Sequence, residues 1–287
     1  MSDLVVAIIL KSKGGNKVEY SSIEICKNYF PEKNQIKAII FDFDGTISTF
    51  RHGWELVMEP LMMEMIGGGT NSDELKQMIR EYIDSSTGVQ TIFQMQWLAE
   101  KVREYGLHPE PKDAWQYKDE YNRRLMEQIS GRIQSVQDGE VSSENYIMTG
   151  AVAFLKELKE RGFKLYLASG TDHDDVCNEA KVLGVFELFE LVMGAPERKA
   201  ACPKEAVIRK IMNDQQLKGS EMAVVGDGKV EIALAIEIGA YALGIASNEA
   251  TRHGINAVKR QRLISAGAHG ISGDFVNKDE LTALFTG

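Results

Sequence analysis

The chain has 287 residues, of which 44% are hydrophobic and 26% are charged, as is typical of a globular protein. Its 33 Lys and Arg residues against 42 Asp and Glu residues give a net charge of -9, which argues against a nucleic-acid partner. Cys26, Cys177 and Cys202 are widely spaced without a CxxC pair, so we expect a cytoplasmic protein with neither disulfides nor a zinc site. The apolar run at residues 4–10 is too short to span a bilayer and follows no basic segment, which predicts neither a signal peptide nor a membrane partner.

Residues 1–36 are predicted to form a small N-terminal appendage, to which the sequence assigns no role. Residues 4–10 and 18–20 have strand-like composition and flank a Gly-Gly-Asn turn, a pattern typical of a hairpin. Residues 22–30 predict a short helix that ends before Pro31, because proline cannot continue a helix.

A buried strand is predicted at residues 38–41, where the apolar run Ala-Ile-Ile-Phe leads directly into two acids and a glycine. Asp42 and Asp44 are two residues apart, so in extended backbone their side chains point the same way. Two like charges at one strand end are costly unless a cation or unequal protonation resolves them. This stretch is therefore the first indication of chemistry.

Apolar residues at helical spacing predict four helices over residues 54–66, 72–83, 92–105 and 112–129, with no convincing strand among them. We therefore predict a helical cap domain at residues 53–140, inserted into a core domain made of residues 37–52 and 141–287. Helices predicted at 151–161, 174–183, 204–213, 230–238 and 260–266 alternate with strands predicted at 164–167, 188–193, 222–225 and 241–245. Such alternation predicts an α/β fold with a doubly wound parallel sheet.

Polar residues follow several predicted strands of the core. Ser169 and Gly170 follow the strand at 164–167, and Asp227 follows the strand at 222–225, with Glu231 one helical turn later. Lys204 lies at a predicted helix start. Because ligands of such sheets bind at the carboxyl ends of the strands, these residues are expected to converge on Asp42 and Asp44.

The sequence resembles the haloacid dehalogenase-like hydrolase superfamily over residues 37–287. Its DxDGT signature is present at residues 42–46, its strand-end Ser or Thr matches Ser169, and its acidic motif matches Gly-Asp-Gly-Lys-Val-Glu at residues 226–231. Either Lys204 or Lys199 could match the lysine of the superfamily's motif. Lys204 is preferred because it begins the helix that precedes the Asp227 strand.

The resemblance implies a role for each of these residues. Asp42 would attack phosphorus to form an aspartyl-phosphate, and Asp44 would act as general acid and then general base. Ser169 and Lys204 would stabilise the transferring phosphoryl group. Phe43 and Gly170 are predicted to contribute further contacts to the phosphate.

Magnesium is the implied cofactor, because the motif residues supply the hard oxygen ligands that this ion prefers. The ligands would be the carboxylates of Asp42 and Asp227 and the backbone carbonyl of Asp44. Glu231 stands where many superfamily members have Asp, so direct ligation and ligation through water both remain open.

The predicted function is a magnesium-dependent phosphatase that hydrolyses a small phosphorylated metabolite, such as a sugar phosphate. A phosphomutase of the same superfamily and a non-catalytic binding protein that retains the fold are the alternatives. Taken singly, each motif residue also has a structural explanation, since Asp and Ser cap helices and Lys is usually solvated. Arg51 and His52 follow the DxDGT turn and could reach a substrate, although a surface role is equally expected.

Overall fold

The computed structural model describes residues 23–70, 72–200 and 203–287. Within these ranges the strands are β1 (Glu24–Ile25), β2 (Ala38–Phe41), β3 (Lys164–Asp172), β4 (Leu191–Ala195), β5 (Met222–Gly226), β6 (Tyr241–Ile245) and β7 (Gly270–Ser272). The helices are α1 (Glu55–Gly67), α2 (Asp73–Ser85), α3 (Thr91–Tyr105), α4 (Ala114–Gln137), α5 (Ala151–Glu160), α6 (His173–Val182), α7 (Pro203–Gln215), α8 (Lys229–Ile238), α9 (Ala257–Ala266) and α10 (Lys278–Thr286). None of the helices in these ranges is long and apolar enough to cross a membrane.

The strands form one seven-stranded sheet in the order β1-β7-β6-β5-β2-β3-β4. All neighbouring pairs are parallel except β1 with β7, which confirms the predicted α/β fold with a doubly wound sheet. The chain order reverses direction at β2, which has β5 on one side and β3 on the other. Such a reversal opens a crevice at the carboxyl ends of the strands, where ligands bind in folds of this class.

Both faces of β2 are buried, as its uninterrupted apolar sequence predicts. Ile39 and Phe41 belong to the larger hydrophobic core, whereas Ala38 and Ile40 belong to the core on the opposite face of the sheet. Alternate residues of a strand point to opposite faces, so one short strand packs into two cores at once. The rigid support that results leads directly into Asp42.

The predicted strand at residues 164–167 is too short, because β3 continues to Asp172. Its pairing with β4 shifts register between Ala168 and Asp172, and the Ser169 hydroxyl accepts a 3.0 Å hydrogen bond from the backbone N–H of Thr171. A bulge of this kind re-aims side chains at a sheet edge. The polar residues expected after the strand are therefore part of it.

The helix predicted at residues 22–30 is wrong for the described part of that stretch. Residues 24 and 25 form β1, which pairs antiparallel with β7, and Ile23 and Ile25 are buried. The edge of β7 offers backbone partners to this segment, and those long-range bonds override a weak local helix signal. The hairpin predicted at residues 4–20 lies outside the described residues.

The helical stretch between β2 and β3 agrees with the sequence prediction, except that α4 runs to Gln137 and not to residue 129. Its buried face continues through Leu125, Ile129 and Ile133 at a spacing of four residues, so the apolar stripe extends beyond the predicted end. We call residues 55–137 the helical segment. The division into an appendage, a core domain and a cap domain remains a prediction.

Candidate active site

A cavity of about 110 Å³ lies at the carboxyl ends of the central strands, between the sheet and the helical segment. Its walls include residues that the sequence places far apart, from the DxDGT loop, β3, α7 and the loop after β5. The lining residues are Asp42, Asp44, Gly45, Arg51, Trp54, Thr87, Gly88, Val89, Thr91, Gln94, Tyr121, Leu125, Ser169, Gly170, Thr171, Lys204, Asp227 and Glu249.

Lys204 connects two buried carboxylates at the base of this cavity. Its Nζ lies 3.0 Å from Asp42 Oδ1 and donates a 2.8 Å hydrogen bond to Glu231 Oε2. The other oxygen of Glu231 accepts a 2.5 Å hydrogen bond from the backbone N–H of Gly228. Both oxygens of Glu231 are therefore engaged, one by the lysine and one by the start of α8.

Burial raises the pKa of Asp42 well above its usual range. Lys204 opposes this rise, whereas the carboxylates of Glu231, Asp227 and Asp44 add to it. Burial alone would lower the pKa of Lys204, but Asp42 and Glu231 raise it above its usual value, so the ammonium stays charged. The site thus contains more negative charge than this one lysine can balance.

Asp44 is held by two hydroxyl groups of the β3 bulge. Its Oδ2 accepts hydrogen bonds of 3.1 Å from Ser169 Oγ and 2.8 Å from Thr171 Oγ1. Its Oδ1 is buried with no hydrogen-bond partner among the described residues, and it lies 3.9 Å from Arg51 Nε. One oxygen is therefore fixed by two hydrogen bonds, while the other is buried, without a hydrogen-bond partner in the described ranges, in a residue that lines the cavity.

A second buried lysine lies beside Asp227, and the sequence analysis missed it. Lys259 Nζ donates hydrogen bonds of 2.5 Å to Asp227 Oδ2, 2.6 Å to Glu249 Oε1 and 3.0 Å to Ser247 Oγ. Burial works against ionisation of Asp227, but Lys259 outweighs it and holds the pKa of that carboxyl below its usual range. The Ser247 hydroxyl in turn donates a 2.5 Å hydrogen bond to the backbone carbonyl of Gly45, which ties this cluster to the DxDGT loop.

Arg51 reaches the cavity from the loop between β2 and α1, where the sequence analysis left a surface role open. The side chain is buried, and it donates two hydrogen bonds to Glu179 Oε1, 2.6 Å from Nη2 and 3.0 Å from Nε. Nη2 also donates a 3.1 Å hydrogen bond to Asp175 Oδ2. Burial raises the pKa of Glu179 to about 7, although Arg51 opposes that rise. Arg51 thus joins α6 to the site.

The turn between α2 and α3 brings the helical segment against the strand ends. The side-chain amide of Gln90 donates a 3.0 Å hydrogen bond to the backbone carbonyl of Lys199. A Cβ atom added to Gly170 would lie 3.4 Å from the carbonyl oxygen of Val89, and one added to Gly88 would lie 3.4 Å from Glu231 Oε2. This turn therefore packs closely over the carboxyl ends of the strands, next to the cavity.

The sequence profile of the haloacid dehalogenase-like hydrolases matches residues 36–239, which is more than half of the chain. The chain belongs to this family. A search of curated protein sequences finds no match.

Solved structures share the fold of this haloacid dehalogenase-like hydrolase at low sequence identity. A predicted phosphoglycolate phosphatase from Haemophilus somnus 129PT is 17% identical, with a TM-score of 0.60 over 86% of this chain and 98% of that one. A β-phosphoglucomutase from Clostridium difficile is 16% identical, with a TM-score of 0.53 over 80% and 97% of the two chains. A family member from Streptococcus pneumoniae is 20% identical, with a TM-score of 0.54 over 88% and 99%.

Three carboxylates of this hydrolase lie close enough together to hold a divalent cation. Ligand atoms of Asp42, Asp227 and Glu231 all lie within 4.8 Å of one another, and all three residues are buried. A buried group of hard oxygen ligands in which one carboxyl resists ionisation is a favourable place for Mg²⁺. Gly45 allows the DxDGT loop to lie directly against Asp227, since a Cβ atom at this position would be only 2.3 Å from Asp227 Oδ2. Its φ of +73° also favours glycine.

The structure places most of the predicted site residues of the hydrolase at this cavity. Ser169 and Gly170 line it, as does Lys204, whereas Lys199 is exposed. Phe43 is completely buried, its side chain belongs to the hydrophobic core, and it is not among the described residues that line the cavity. Its contact with the phosphate remains a prediction.

Proposed function

We propose that this hydrolase is a magnesium-dependent phosphatase that acts on a small phosphorylated metabolite through an aspartyl-phosphate on Asp42. The observation that carries the proposal is the meeting of unequal carboxyl groups in one cavity. Asp42 is paired with a buried lysine, whereas Asp44 is held by two hydroxyls and has one oxygen without a hydrogen-bond partner among the described residues. One acid is suited to attack and the other to proton transfer.

In the first step a carboxylate oxygen of Asp42 attacks phosphorus while the bond from phosphorus to the alcohol oxygen breaks. Asp44, in its protonated form, gives its proton to that leaving oxygen, so a neutral alcohol departs. Lys204 remains beside Asp42 and balances charge at the transferring phosphoryl group. The strand support beneath Asp42 holds the attacking oxygen in place.

In the second step a water oxygen attacks the phosphorus of the aspartyl-phosphate. Asp44 takes a proton from that water, and the bond between phosphorus and the Asp42 oxygen breaks, which restores the carboxylate and releases inorganic phosphate. The β3 hydroxyls of Ser169 and Thr171 keep Asp44 aimed at the same point in both steps. The net reaction consumes one water for each ester cleaved.

Magnesium would be held by Asp42, by the backbone carbonyl of Asp44 and by Asp227, with Glu231 near enough to bind a coordinated water. When bound, the ion would neutralise charge on the phosphoryl oxygens and favour ionised Asp42. Glu231 already accepts hydrogen bonds from Lys204 and from the backbone N–H of Gly228, so its main proposed role is to hold Lys204 in position. The helical segment would act as a cap that shields the cavity from bulk solvent while the attacking water remains inside.

The deciding experiment is a screen of the purified protein, with and without Mg²⁺, against a panel of phosphorylated metabolites. We expect magnesium-dependent release of phosphate from the wild-type protein. The turnover rate of the Asp42→Asn variant should be lower than that of the wild-type protein by at least about 1,000-fold, because the side-chain shape is kept and only the nucleophile is lost. Mass spectrometry of acid-quenched reactions should find phosphate attached to Asp42.

A matched control is Asp214→Asn, which changes an exposed aspartate that pairs with Lys210 on α7. That variant should keep wild-type turnover. Turnover by Asp42→Asn at the wild-type rate would overturn the proposal. Transfer of the phosphoryl group to a second sugar hydroxyl, in place of release to water, would identify a phosphomutase.

A further inference from the structure

The two sides of the cavity differ in charge. The side formed by the helical segment and the residue that precedes it, which we call the helix wall, has no charged lining residue among those the structure describes: Trp54, Thr87, Gly88, Val89, Thr91, Gln94, Tyr121 and Leu125. The rest of the lining, which comes from the strand ends, the loops and the start of α7 and which we call the strand wall, contains every charged lining residue: Asp42, Asp44, Arg51, Lys204, Asp227 and Glu249. A substrate held between them would place its phosphate on the strand wall and the rest of the molecule against the helix wall.

The cations of the strand wall already have partners. Lys204 contacts Asp42 and Glu231. The Arg51 guanidinium is shared by Glu179 and Asp175 on α6. Within the described ranges, both lining cations therefore have carboxylate partners. Lys204 lies beside Asp42 and would serve the phosphoryl group, so only Arg51 could receive a second anionic group, and its charge is already balanced.

Lys259 behind the strand wall does not change this balance. It is held between Asp227 and Glu249, so Lys259, like Lys204, faces two carboxylates. Arg51 faces three, since Asp44 Oδ1 lies 3.9 Å from its Nε in addition to the two partners on α6. The proposed magnesium ion and Lys204 would be needed for the phosphoryl group itself. A second anionic group on the substrate would lie in a site whose remaining charge is negative, without a cation to receive it.

We propose that the substrate is the phosphate monoester of a small uncharged alcohol, such as a polyol or a sugar, and that esters with a carboxylate or a second phosphate are disfavoured. This inference rests on the proposed phosphatase function and narrows it. Hydroxyl groups of the alcohol would meet the neutral polar side chains of the helix wall, Thr87, Thr91, Gln94 and Tyr121. The apolar members, Trp54, Val89 and Leu125, would cover its carbon skeleton.

The test compares esters that differ only by the added charge. Two suitable pairs are 2-hydroxyethyl phosphate with phosphoglycolate, and glycerol 3-phosphate with 3-phosphoglycerate. Assays at about pH 8 keep Glu179, whose pKa is about 7, in its ionised state. We expect kcat/KM to be at least about tenfold higher for the uncharged member of each pair. Equal values, or a preference for the carboxylate, would overturn the inference and leave the phosphatase proposal intact.

Variants that remove a carboxylate partner of Arg51 should reduce the preference for uncharged esters. Glu179→Gln keeps the shape of the side chain but removes the charge that neutralises the guanidinium, so the carboxylate esters should gain several-fold in relative kcat/KM. Asp175→Asn, at a more exposed position, provides a second route if the first variant folds poorly. Glu127→Gln breaks an exposed pair with Arg123 on α4 and should leave the ratio unchanged. An unchanged ratio in both Arg51-releasing variants would contradict the inference.

Binding measurements separate this inference from the phosphatase proposal. If the wild-type protein with Mg²⁺ hydrolyses no ester, the phosphatase proposal fails, and calorimetry with the same pairs still tests the preference. Tighter binding of the uncharged esters supports the inference as a statement about the cavity. Equal binding, tighter binding of the charged members, or no binding of either member overturns it.

Discussion

The strand wall and the helix wall enclose the same cavity but are built in different ways. The strand wall collects residues from strand ends, loops and the start of α7 that are separated by as much as about two hundred positions in the chain. Each of its cations is fixed by at least two carboxylates. The helix wall comes mainly from one continuous stretch, and its lining residues in the described structure are neutral. The difference teaches that the charged and the neutral surfaces of one cavity are supplied by separate parts of the fold. The strand wall would perform the chemistry, and the helix wall would select the alcohol.

Lys204→Met should produce the largest effect of the variants that test this division. It leaves Asp42 and Glu231 buried without their cation, so kcat should fall by roughly 100- to 1,000-fold. The free energy of unfolding should fall by about 3–5 kcal/mol, as expected when one partner of a buried ion pair is removed. Phosphate release and denaturant unfolding measure the two effects.

Lys199→Met is the matched control, because Lys199 is exposed and lies five positions earlier in the chain. Its turnover and stability should equal those of the wild-type protein. A loss of turnover in this variant, with Lys204→Met unaffected, would mean that the strand wall has been assigned the wrong lysine.

Lys259 and Glu249 should affect magnesium binding in opposite directions. Lys259→Met removes a positive charge beside the proposed ligand Asp227, so Mg²⁺ should bind roughly tenfold more tightly. Glu249→Gln removes the other carboxylate that shares Lys259, so Mg²⁺ should bind more weakly by a similar factor. Calorimetric titration with Mg²⁺ alone measures both changes without any need for turnover.

Lys210→Met, which breaks an exposed pair with Asp214, provides the baseline for these titrations. Weaker magnesium binding by Lys259→Met would show that the lysine serves chiefly to orient Asp227. The strand wall would then depend on that ion pair for its geometry and not only for its charge balance.

Gln94→Leu should produce the smallest effect, because it changes the helix wall and not the reacting groups. Gln94 is buried, and its amide donates a 3.0 Å hydrogen bond to Ser86 Oγ while the side chain lines the cavity. Loss of one hydrogen-bonding group should raise KM by roughly three- to tenfold and leave kcat within about twofold. Steady-state kinetics with the best ester of the panel measures both constants.

Gln77→Leu should change neither constant. Gln77 is exposed on α2, and its amide donates a hydrogen bond to Glu81. A large fall in kcat for Gln94→Leu, with KM unchanged, would break the division, because the helix wall would then take part in the chemical step.

Much of the fold could be predicted from local patterns. The uninterrupted apolar run of β2 predicts a strand buried on both faces, and periodic apolar positions predict the helices of the alternating core. The helix α10 was also missed, and the missed strands depend on distant partners. β1 and β7 are two- and three-residue strands whose pairing joins residues near 24 to residues near 271, and no local signal indicates such a contact. The end of α4 was placed too early, although its apolar stripe continues at regular spacing.

The candidate site likewise contains residues that local sequence patterns predict and residues that they do not. Short motifs single out Asp42, Asp44, Ser169 and Asp227, because each lies at or just after the end of a strand that carries it to the sheet edge. Nothing local distinguishes Lys259 or Glu179 from an ordinary surface residue of a helix. Arg51 was noticed only as a neighbour of the DxDGT turn, and its partners on α6 could not be inferred.

The sequence by itself determined the family, the order of strands and helices from β2 to α9, and which acids stand at the strand ends, since these follow from short-range pattern and from spacing along the chain. Only the tertiary structure decided which buried cation faces which carboxylate, and therefore the charge left over in the cavity. The physical reason is that an ion pair depends on distances of a few ångströms between groups that can lie more than a hundred residues apart. Lys204 approaches Asp42, Lys259 approaches Asp227 and Arg51 approaches Glu179 only once the sheet has formed.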